Sequence, residues 1–335
     1  MRSLILCAAL LTTGCAGLIK GKETEAIVIA HRGASGQLPE HTLEAYKLAI
    51  LQGADYIEPD LVMTRDGHLV ARHDPWLSDS TDVGSRPEFA ERRRTLISPE
   101  GELITDWWSW DFTLAELKTL RARQVRPDRS RDFDDLYSVP TFAEIIALAA
   151  SQGTIAGRNV GLYPEAKWPA EHAREGLDMA GAFETALRSA GLNERDAKVF
   201  VQSFEPGFLM EMNGRIETPL VQLVYPKGWM PGASANISLE EIADYADGVG
   251  PYKDLIMDPE TGKPTGYGER ACELGLEVHP WTFRDDDLPE QGPTAAEEIR
   301  RAVAAGATGI FTDFPDTGRL AVTGIARLCR AARRS

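Results

Sequence analysis

The sequence predicts an α/β protein, a (β/α)8 barrel of the TIM-barrel class with an insertion after the second strand. Short β-branched runs alternate with segments of helical periodicity, the pattern of βαβ units and a parallel sheet. Eight such runs occur, which is the number of strands that closes a barrel. Since α/β barrels often form one domain of about 250 residues, a chain of 335 residues has room for a barrel and an insertion.

The strands and helix starts can be placed from local patterns. The predicted strands span residues 26–30, 56–62, 160–164, 199–202, 220–224, 248–249, 276–281 and 309–312. Helices are predicted over residues 43–51 and 179–190, the second followed by Gly191, because glycine adopts the left-handed conformation that ends many helices. Four further starts show Ser or Thr followed three residues later by Glu, which predicts capping boxes at Thr113/Glu116, Thr141/Glu144, Ser238/Glu241 and Thr294/Glu297.

The predicted barrel spans residues 26–320, and its alternating pattern is interrupted at about residues 75–140. This insertion is long and charged, and it contains Trp107, Trp108 and Trp110. The three tryptophans fit either a substrate- or membrane-facing surface or a cap that packs onto the barrel, and we favour packing. A C-terminal helix is expected over residues 321–335.

The N-terminal residues 1–17 have the pattern of an export signal. Arg2 precedes an apolar run over residues 4–11, and small residues precede Cys15, as in a bacterial lipoprotein signal. Thr12 departs from that signal, which usually has leucine there, and ordinary signal cleavage nearby is the alternative. We therefore expect a periplasmic protein that associates with the membrane only through a lipidated Cys15.

Charge and cysteine usage limit the partners and the redox chemistry. The net charge of −15 argues against nucleic acid, so an anionic substrate must be held by local positive charge. Cys272 and Cys329, expected on separate C-terminal helices, either form a disulfide in an oxidising compartment or stay as two buried thiols.

Candidate catalytic residues follow the first three predicted strands. His31 follows the first strand, at the end where barrel enzymes place their chemistry. Glu58 and Asp60 are two residues apart, so alternation turns both to one side, where two carboxylates repel unless a cation lies between them. Glu165 and Lys167 repeat this spacing at the end of the third strand.

A second histidine is expected to return to the same place. Residues 69–71 form a short apolar run after Asp66-Gly67, which is a strong hairpin signal. The turn predicts that His73 folds back toward the carboxylates, with Asp74 able to orient its ring.

Together these residues resemble the glycerophosphodiester phosphodiesterase family, in its periplasmic branch, over about residues 27–320. The matching elements are His31-Arg32-Gly33, Pro39-Glu40, Glu58-x-Asp60, Asp66-Gly67, His73-Asp74, Pro164-Glu165-x-Lys167, Gln202-Ser203-Phe204, His279-Pro280-Trp281-Thr282 and Phe311-Thr312-Asp313-Phe314-Pro315-Asp316. One departure is His41, where the family usually has asparagine, which leaves the local hydrogen bonding open. Glu40 is an additional candidate carboxylate near the metal.

The resemblance implies a role for each matching residue. It implies that His31 and His73 are the general acid/base pair and that Glu58, Asp60 and Glu165 bind Ca²⁺ or Mg²⁺. It further implies that Arg32 and Lys167 contact phosphate, that Trp281 lies beside the glycerol moiety and that Gln202 lines the pocket. Ligands that are all oxygen favour Ca²⁺ or Mg²⁺ over Zn²⁺. We expect Ca²⁺ rather than Mg²⁺, because an exported protein meets more Ca²⁺ than a cytosolic one.

The implied activity is hydrolysis of a small-molecule glycerophosphodiester, such as glycerophosphocholine or glycerophosphoethanolamine, to glycerol 3-phosphate and an alcohol. Either water or the substrate's glycerol 2-hydroxyl can be the attacking oxygen. One rival function is a phosphoinositide- or sphingomyelin-directed phosphodiesterase on a related barrel, which needs an apolar landing surface such as the three tryptophans. The second is a non-catalytic lipoprotein that binds a ligand or a surface partner. The complete set of acid/base and metal positions argues against the second.

Overall fold

A computed structural model describes residues 25–99, 101–227, 237–288 and 292–329. The predicted signal at residues 1–17, with Cys15, lies outside the described residues. Within the described ranges no helix is long and apolar enough to cross a bilayer.

Strands and helices alternate along the chain. The strands are β1 (Ile27–His31), β2 (Tyr56–Glu58), β3 (Asp60–Met63), β4 (Leu69–Ala71), β5 (Arg94–Ile97), β6 (Leu103–Asp106), β7 (Gly161–Leu162), β8 (Glu165–Ala166), β9 (Val201–Ser203), β10 (Leu220–Val224), β11 (Gly248–Pro251), β12 (Glu277–Val278) and β13 (Gly309–Thr312). The helices are α1 (Leu43–Leu51), α2 (Leu114–Leu117), α3 (Phe142–Ile155), α4 (Pro169–Arg174), α5 (Met179–Ser189), α6 (Pro206–Asn213), α7 (Leu239–Tyr245), α8 (Tyr267–Glu273), α9 (Ala295–Ala304) and α10 (Pro315–Val322). An α/β fold with a strand at each of the eight predicted places is therefore confirmed.

Proline divides two of the predicted strands. The strand expected over residues 56–62 is β2 and β3, separated by Pro59, and the strand expected over 160–164 is β7, followed after Pro164 by β8. Proline has no N–H to donate to a neighbouring strand, so it interrupts the ladder. Pairing resumes beyond the break, because β2 is parallel to β7 and β3 is parallel to β8.

The parallel strands form two sheets, with the orders β13-β1-β2-β7 and β12-β11-β10-β9-β8-β3, and β4 lies antiparallel to β3 at the edge of the second. The β3–β4 pair is the hairpin predicted from Asp66-Gly67. Backbone hydrogen bonds also connect the region of β13 with β12 and the residues that follow it. They run from Thr308 N to Val278 O (2.8 Å) and from Phe311 N to Pro280 O (3.0 Å). The carboxyl ends of the parallel strands consequently gather on one side of the protein.

Alternation along the strands produces an inner and an outer core. In β1, Val28 and Ala30 belong to the large apolar cluster that packs against the helices. Ile29 between them belongs to a smaller cluster with Tyr163 and Phe311. Successive side chains of a strand point to opposite faces, so both faces of β1 are buried and its end is held rigidly.

Residues 75–140 lie between β4 and α3 and contain the antiparallel β5–β6 hairpin and α2. Trp107, Trp108 and Trp110 retain only 9%, 0% and 4% of their exposure. Of the two interpretations of these tryptophans, packing is the one that this burial supports, because buried rings present no surface to a membrane.

The predicted helix boundaries are mostly found. All four capping boxes are present, with the Ser or Thr side chain accepting from the Glu backbone N–H and the Glu side chain accepting in return. Helix α1 matches its prediction, and α5 ends one residue early, at Ser189.

The C-terminal helix expected over residues 321–335 is wrong across residues 323–329, and residues 330–335 lie outside the described part. Helix α10 ends at Val322, and Gly324 follows with φ 78°, a left-handed conformation that stops a helix. The tail instead pairs Ala326 with Glu25. Cys329, therefore not on a helix, forms a disulfide with Cys272 of α8, with the two Cα atoms 5.9 Å apart.

Candidate active site

Eight of the nine residues singled out in the sequence line one pocket, and the ninth, Asp60, clusters with two of them. The pocket is lined by His31, Arg32, Glu58, His73, Glu165, Lys167, Gln202, Phe204, Leu223, Tyr225, Trp281 and Phe311. Its volume is about 60 Å³, well below the roughly 300–1,000 Å³ of pockets that enclose drug-sized ligands. It can therefore enclose only a small chemical group.

Three carboxylates meet beside this pocket. One oxygen each of Glu58, Asp60 and Glu165 lies within 4.8 Å of the other two. The proline at residue 59 separates Glu58 at the end of β2 from Asp60 at the start of β3, and Asp60 is opposite Glu165 in the parallel register. The three residues are 1%, 1% and 6% exposed. Three buried like charges at this spacing are unfavourable unless positive charge balances them.

The pKa values show how this charge is distributed. Burial and the neighbouring Asp60 and Glu165 raise the pKa of Glu58 well above its ordinary value. Burial also raises the pKa of Glu165 to about 8, although Lys167 opposes the shift. Burial would raise the pKa of Asp60, but Lys167, His41 and Arg32 hold it well below its ordinary value.

Two buried cations partly neutralise the carboxylates. Lys167 Nζ lies 3.0 Å from Glu165 Oε1, and Arg32 Nε lies 3.3 Å from Asp60 Oδ2. Burial lowers the pKa of both cations, but the neighbouring carboxylates more than reverse this and raise it above its ordinary value. Both side chains thus stay charged at the pocket.

The carboxylates fit a divalent cation. Asp60 Oδ1 is buried and finds no hydrogen-bond donor among the described residues. Glu58 is oriented from two sides, since its Oε2 accepts from the Arg32 backbone N–H (2.7 Å) and its Oε1 from Gln202 Nε2 (3.1 Å). An all-oxygen set with an unsatisfied carboxylate oxygen is the donor chemistry of Ca²⁺ and Mg²⁺.

His41, the departure from the family pattern, completes the support of Asp60. Its Nε2 lies 2.9 Å from Asp60 Oδ2, and its Nδ1 lies 2.8 Å from the hydroxyl of Tyr46. The sequence did not show what His41 bonds to, and in the structure its buried ring contacts both Asp60 and Tyr46. Glu40 is not one of the three clustered acids, and it accepts instead from Arg32 Nη1 at 2.9 Å.

His31 is oriented by the carboxylate of Asp313, a residue of the matching sequence motif for which the resemblance implied no role. Its Nδ1 lies 2.6 Å from Asp313 Oδ1, while Asp313 Oδ2 accepts from Arg129 Nη2 (2.6 Å) and Arg284 Nε (2.8 Å). Burial and the charge of Arg32 lower the pKa of His31 to about 4, although Asp313 opposes the shift. Asp313 directly follows β13, so the rule that chemistry lies at strand ends would have selected it.

His73 lines the same pocket from the β4 side. Its Nδ1 lies 2.9 Å from Asp74 Oδ2, and its side chain is 31% exposed. The predicted pairing of His73 with Asp74 is present, and the two histidines reach the pocket from different strands, as the hairpin requires.

Aromatic rings close one side of the pocket. Trp281 packs edge to face against Phe204, Tyr225 and Tyr252, with centroids 5.7, 5.4 and 5.1 Å away. Its Nε1 donates to Gly250 O at 2.8 Å, which fixes the ring. This aromatic wall reaches the cationic residues, since Lys167 Nζ lies 5.7 Å from the centre of the Phe204 ring.

Sequence comparisons place the chain among known phosphodiesterases. The Glycerophosphoryl diester phosphodiesterase family model matches residues 31–317. A glycerophosphodiester phosphodiesterase of Haemophilus influenzae is 35% identical over 341 residues, covering 88% of this chain and 89% of that protein. One of Arabidopsis thaliana is 34% identical, covering 87% of this chain and 84% of that protein.

Solved structures share the fold. A phosphodiesterase of Oleispira antarctica, in complex with the product sn-glycerol-3-phosphate, superposes with a TM-score of 0.61 at 22% identity, covering 89% of this chain and 97% of the other. A glycerophosphodiester phosphodiesterase of Agrobacterium tumefaciens gives 0.60 at 20% identity, covering 88% and 99%. At these identities the likeness concerns the fold alone.

Proposed function

Because the chain belongs to the glycerophosphoryl diester phosphodiesterase family, we propose that it is a metal-dependent hydrolase of small glycerophosphodiesters that works through two histidines. Its expected substrates include glycerophosphocholine and glycerophosphoethanolamine, and the expected products are glycerol 3-phosphate and the free alcohol. The relatives from Haemophilus influenzae and Arabidopsis thaliana, both glycerophosphodiester phosphodiesterases, support this substrate class.

The proposal rests on the buried carboxylate cluster at a pocket that two imidazoles and two cations also line. Glu58, Asp60 and Glu165 would hold the divalent ion, with Ca²⁺ preferred over Mg²⁺. When bound, the ion supplies positive charge that offsets the negative charge of the phosphodiester in the transition state. Arg32 and Lys167 add fixed charge at the same place, since both line the pocket.

His31 is suited to be the general base. Asp313 is ionised, because burial, which would raise its pKa, is outweighed by His31 and the two arginines, which hold it well below its ordinary value. The proton of the short contact to Asp313 therefore lies on His31 Nδ1, which leaves Nε2 as an acceptor. His31 Nε2 then takes the proton of the attacking oxygen, whether that oxygen is water or the glycerol 2-hydroxyl.

His73 is the remaining imidazole of the pocket and serves as the general acid. Its Nδ1 is occupied by Asp74, so its Nε2 is the atom that can deliver a proton to the leaving alcohol. Each proton transfer typically contributes about 10²- to 10⁴-fold to the rate. His31→Ala and His73→Ala should each lower kcat at least about a hundredfold with the fold retained.

An assay of glycerol 3-phosphate release tests the function. Glycerophosphocholine, glycerophosphoethanolamine and intact phosphatidylcholine are compared as substrates. We expect turnover of the two water-soluble diesters and little of the intact lipid, since the tryptophans that could form a landing surface are buried. Strong preference for the intact lipid would overturn the substrate assignment, and full activity of both histidine variants would favour a binding protein.

The backbone contacts support closure of the strands into a (β/α)8 barrel with residues 75–140 as its insertion. A parallel bridge between Leu162 and Val199 joins β7 to the residues just before β9. The hydrogen bond from Thr308 N to Val278 O joins the residue before β13 to β12. These contacts continue the hydrogen bonding from one sheet to the other on both sides. A crystal structure with an unpaired gap between β12 and β13 would contradict closure.

For the location of the protein we propose the periplasm, with Cys15 lipidated. The signal-like residues 1–17 and the disulfide between Cys272 and Cys329 support export, because disulfides persist in oxidising compartments. Membrane fractionation of the wild type and of Cys15→Ser tests the anchor. Release of the variant, but not of the wild type, into the soluble fraction is expected, and equal solubility of both would contradict it.

A further inference from the structure

We propose that Arg129 is a positioning residue for catalysis, through which the 75–140 segment holds the Asp313 carboxylate against His31. The proposal deepens the function given above and rests on His31 as the general base. It also assigns a task to a segment that the sequence left without one.

The contacts form a direct chain from the segment to the ring. Arg129 Nη2 donates to Asp313 Oδ2 at 2.6 Å, and Asp313 Oδ1 accepts from His31 Nδ1 at 2.6 Å. The two oxygens of one carboxylate thus serve the arginine and the histidine separately. The side chains of Arg129 and Asp313 are 4% and 3% exposed, so water does not compete for these contacts.

Arg129 is itself held in a fixed orientation. Its Nε and Nη2 make a bidentate pair with Asp286 at 2.7 and 3.1 Å, and its Nη1 donates to Ser35 O at 3.0 Å. The Ser35 hydroxyl in turn donates to the backbone carbonyl of His31 at 2.8 Å. A planar guanidinium has donors in a rigid fork, so it can make all these contacts at once, and lysine cannot.

The expected consequence is control of the angle of the imidazole. A carboxylate held by one partner can rotate about its Cβ–Cγ bond, whereas one held on Oδ2 by Arg129 keeps Oδ1 aimed at Nδ1. Arg284 Nε also reaches Oδ2, at 2.8 Å, but its side chain is 20% exposed and lies on a different segment. Loss of Arg129 should therefore let the His31 ring take up a wider range of orientations, while Arg284 still holds Asp313 in place beside it.

The test compares Arg129→Met and Arg129→Lys with Arg126→Met as the matched control. Arg126 lies on the same segment, but its side chain is 37% exposed and donates to Asp287 at 3.1 Å rather than to Asp313. We expect kcat for glycerophosphocholine to fall about 10- to 100-fold in both Arg129 variants, because small misplacements of a catalytic group cost up to about 10²-fold. KM should change less than about threefold, and Arg126→Met should behave as the wild type.

Nitrogen-15 spectra of the histidines provide a readout that does not depend on activity. The His31 signal, identified by its absence in His31→Gln, should show a single Nδ1–H tautomer in the wild type and in Arg126→Met. In Arg129→Met it should show a mixture of tautomers. Circular dichroism checks that each variant is folded, and Arg129→Lys, which keeps the charge, serves if the methionine variant does not fold.

The outcomes separate this inference from the proposed function. Wild-type kcat together with a wild-type His31 tautomer in a folded Arg129 variant would overturn the positioning role, even while His31→Ala remains inactive. Full activity of His31→Ala would instead overturn the proposed function, and the tautomer spectra would still decide whether Arg129 orients the ring.

Discussion

Replacing Asp313 by asparagine changes which nitrogen of His31 carries the proton. Asp313 Oδ2 accepts hydrogen bonds from Arg129 and Arg284, and Oδ1 faces His31 Nδ1. Arginine only donates, so the new amide must turn its oxygen to the two arginines and its NH₂ group to His31. Nδ1 then becomes an acceptor, and the ring proton moves to Nε2, the atom that must accept a proton in catalysis.

The size of the effect follows from the loss of the base. General base catalysis contributes about 10²- to 10⁴-fold to the rate. In a Ser-His-Asp triad, replacing the aspartate by asparagine lowers kcat about 10⁴-fold, because it changes the tautomer of the histidine in the same way. We therefore expect Asp313→Asn to lower kcat by about 10³- to 10⁴-fold, or about 4 to 5.5 kcal/mol of activation free energy. The substitution hardly changes the shape of the side chain, so the fold should survive.

The assay is glycerol 3-phosphate release from glycerophosphocholine at saturating metal, with circular dichroism as the check on folding. Asp316→Asn, three residues further on in the first turn of α10, is the matched control and should retain its rate. A kcat for Asp313→Asn within tenfold of the wild type would refute the assignment of His31 as a base oriented by Asp313.

Three further results are expected. His41→Ala should weaken divalent-ion binding by about 10- to 100-fold in calorimetry, because His41 orients Asp60 and groups that orient metal ligands typically contribute that much. Cys272→Ser should lower the free energy of unfolding by about 2–4 kcal/mol in denaturant titrations, with kcat unchanged, because it opens a link between residues 57 apart. The pKa of His31 is lowered to about 4, and the base must be neutral, so kcat/KM should fall as the pH drops through about 4.

Each of these three predictions can be contradicted by experiment. An unchanged dissociation constant would mean that Asp60 does not depend on His41. Unchanged stability of Cys272→Ser would mean that the disulfide does not constrain the unfolded chain. An acid-side midpoint close to the ordinary histidine value of about 6.5 would mean that burial does not set the ionisation of His31.

Local patterns predicted most of the fold and the three clustered acids. Alternation placed Glu58 and Asp60 on one side, and the hairpin signal returned His73 to the pocket, because strand period and turn chemistry act over a few residues. The capping boxes were readable for the same reason. The strand breaks at Pro59 and Pro164 could also have been read, since proline cannot donate to a ladder.

Contacts between distant segments could not be read in this way. Arg129 and Asp313 are 184 residues apart, and nothing near either residue signals the other. The pairing of Cys272 with Cys329 and the course of the tail after Val322 likewise depend on where helices and strands come to lie. The role of His41 needed the structure too, because only the fold brings its ring between Tyr46 and Asp60.

We propose that diester cleavage depends on a divalent ion held by Glu58, Asp60 and Glu165. The most direct measurement is the rate of glycerol 3-phosphate release from glycerophosphocholine before chelation, after chelation and after add-back of Ca²⁺ or Mg²⁺. We predict a loss of at least about a hundredfold that Ca²⁺ restores better than Mg²⁺, as expected when the ion supplies several kcal/mol of charge stabilisation. An undiminished rate in the chelated protein would contradict the claim.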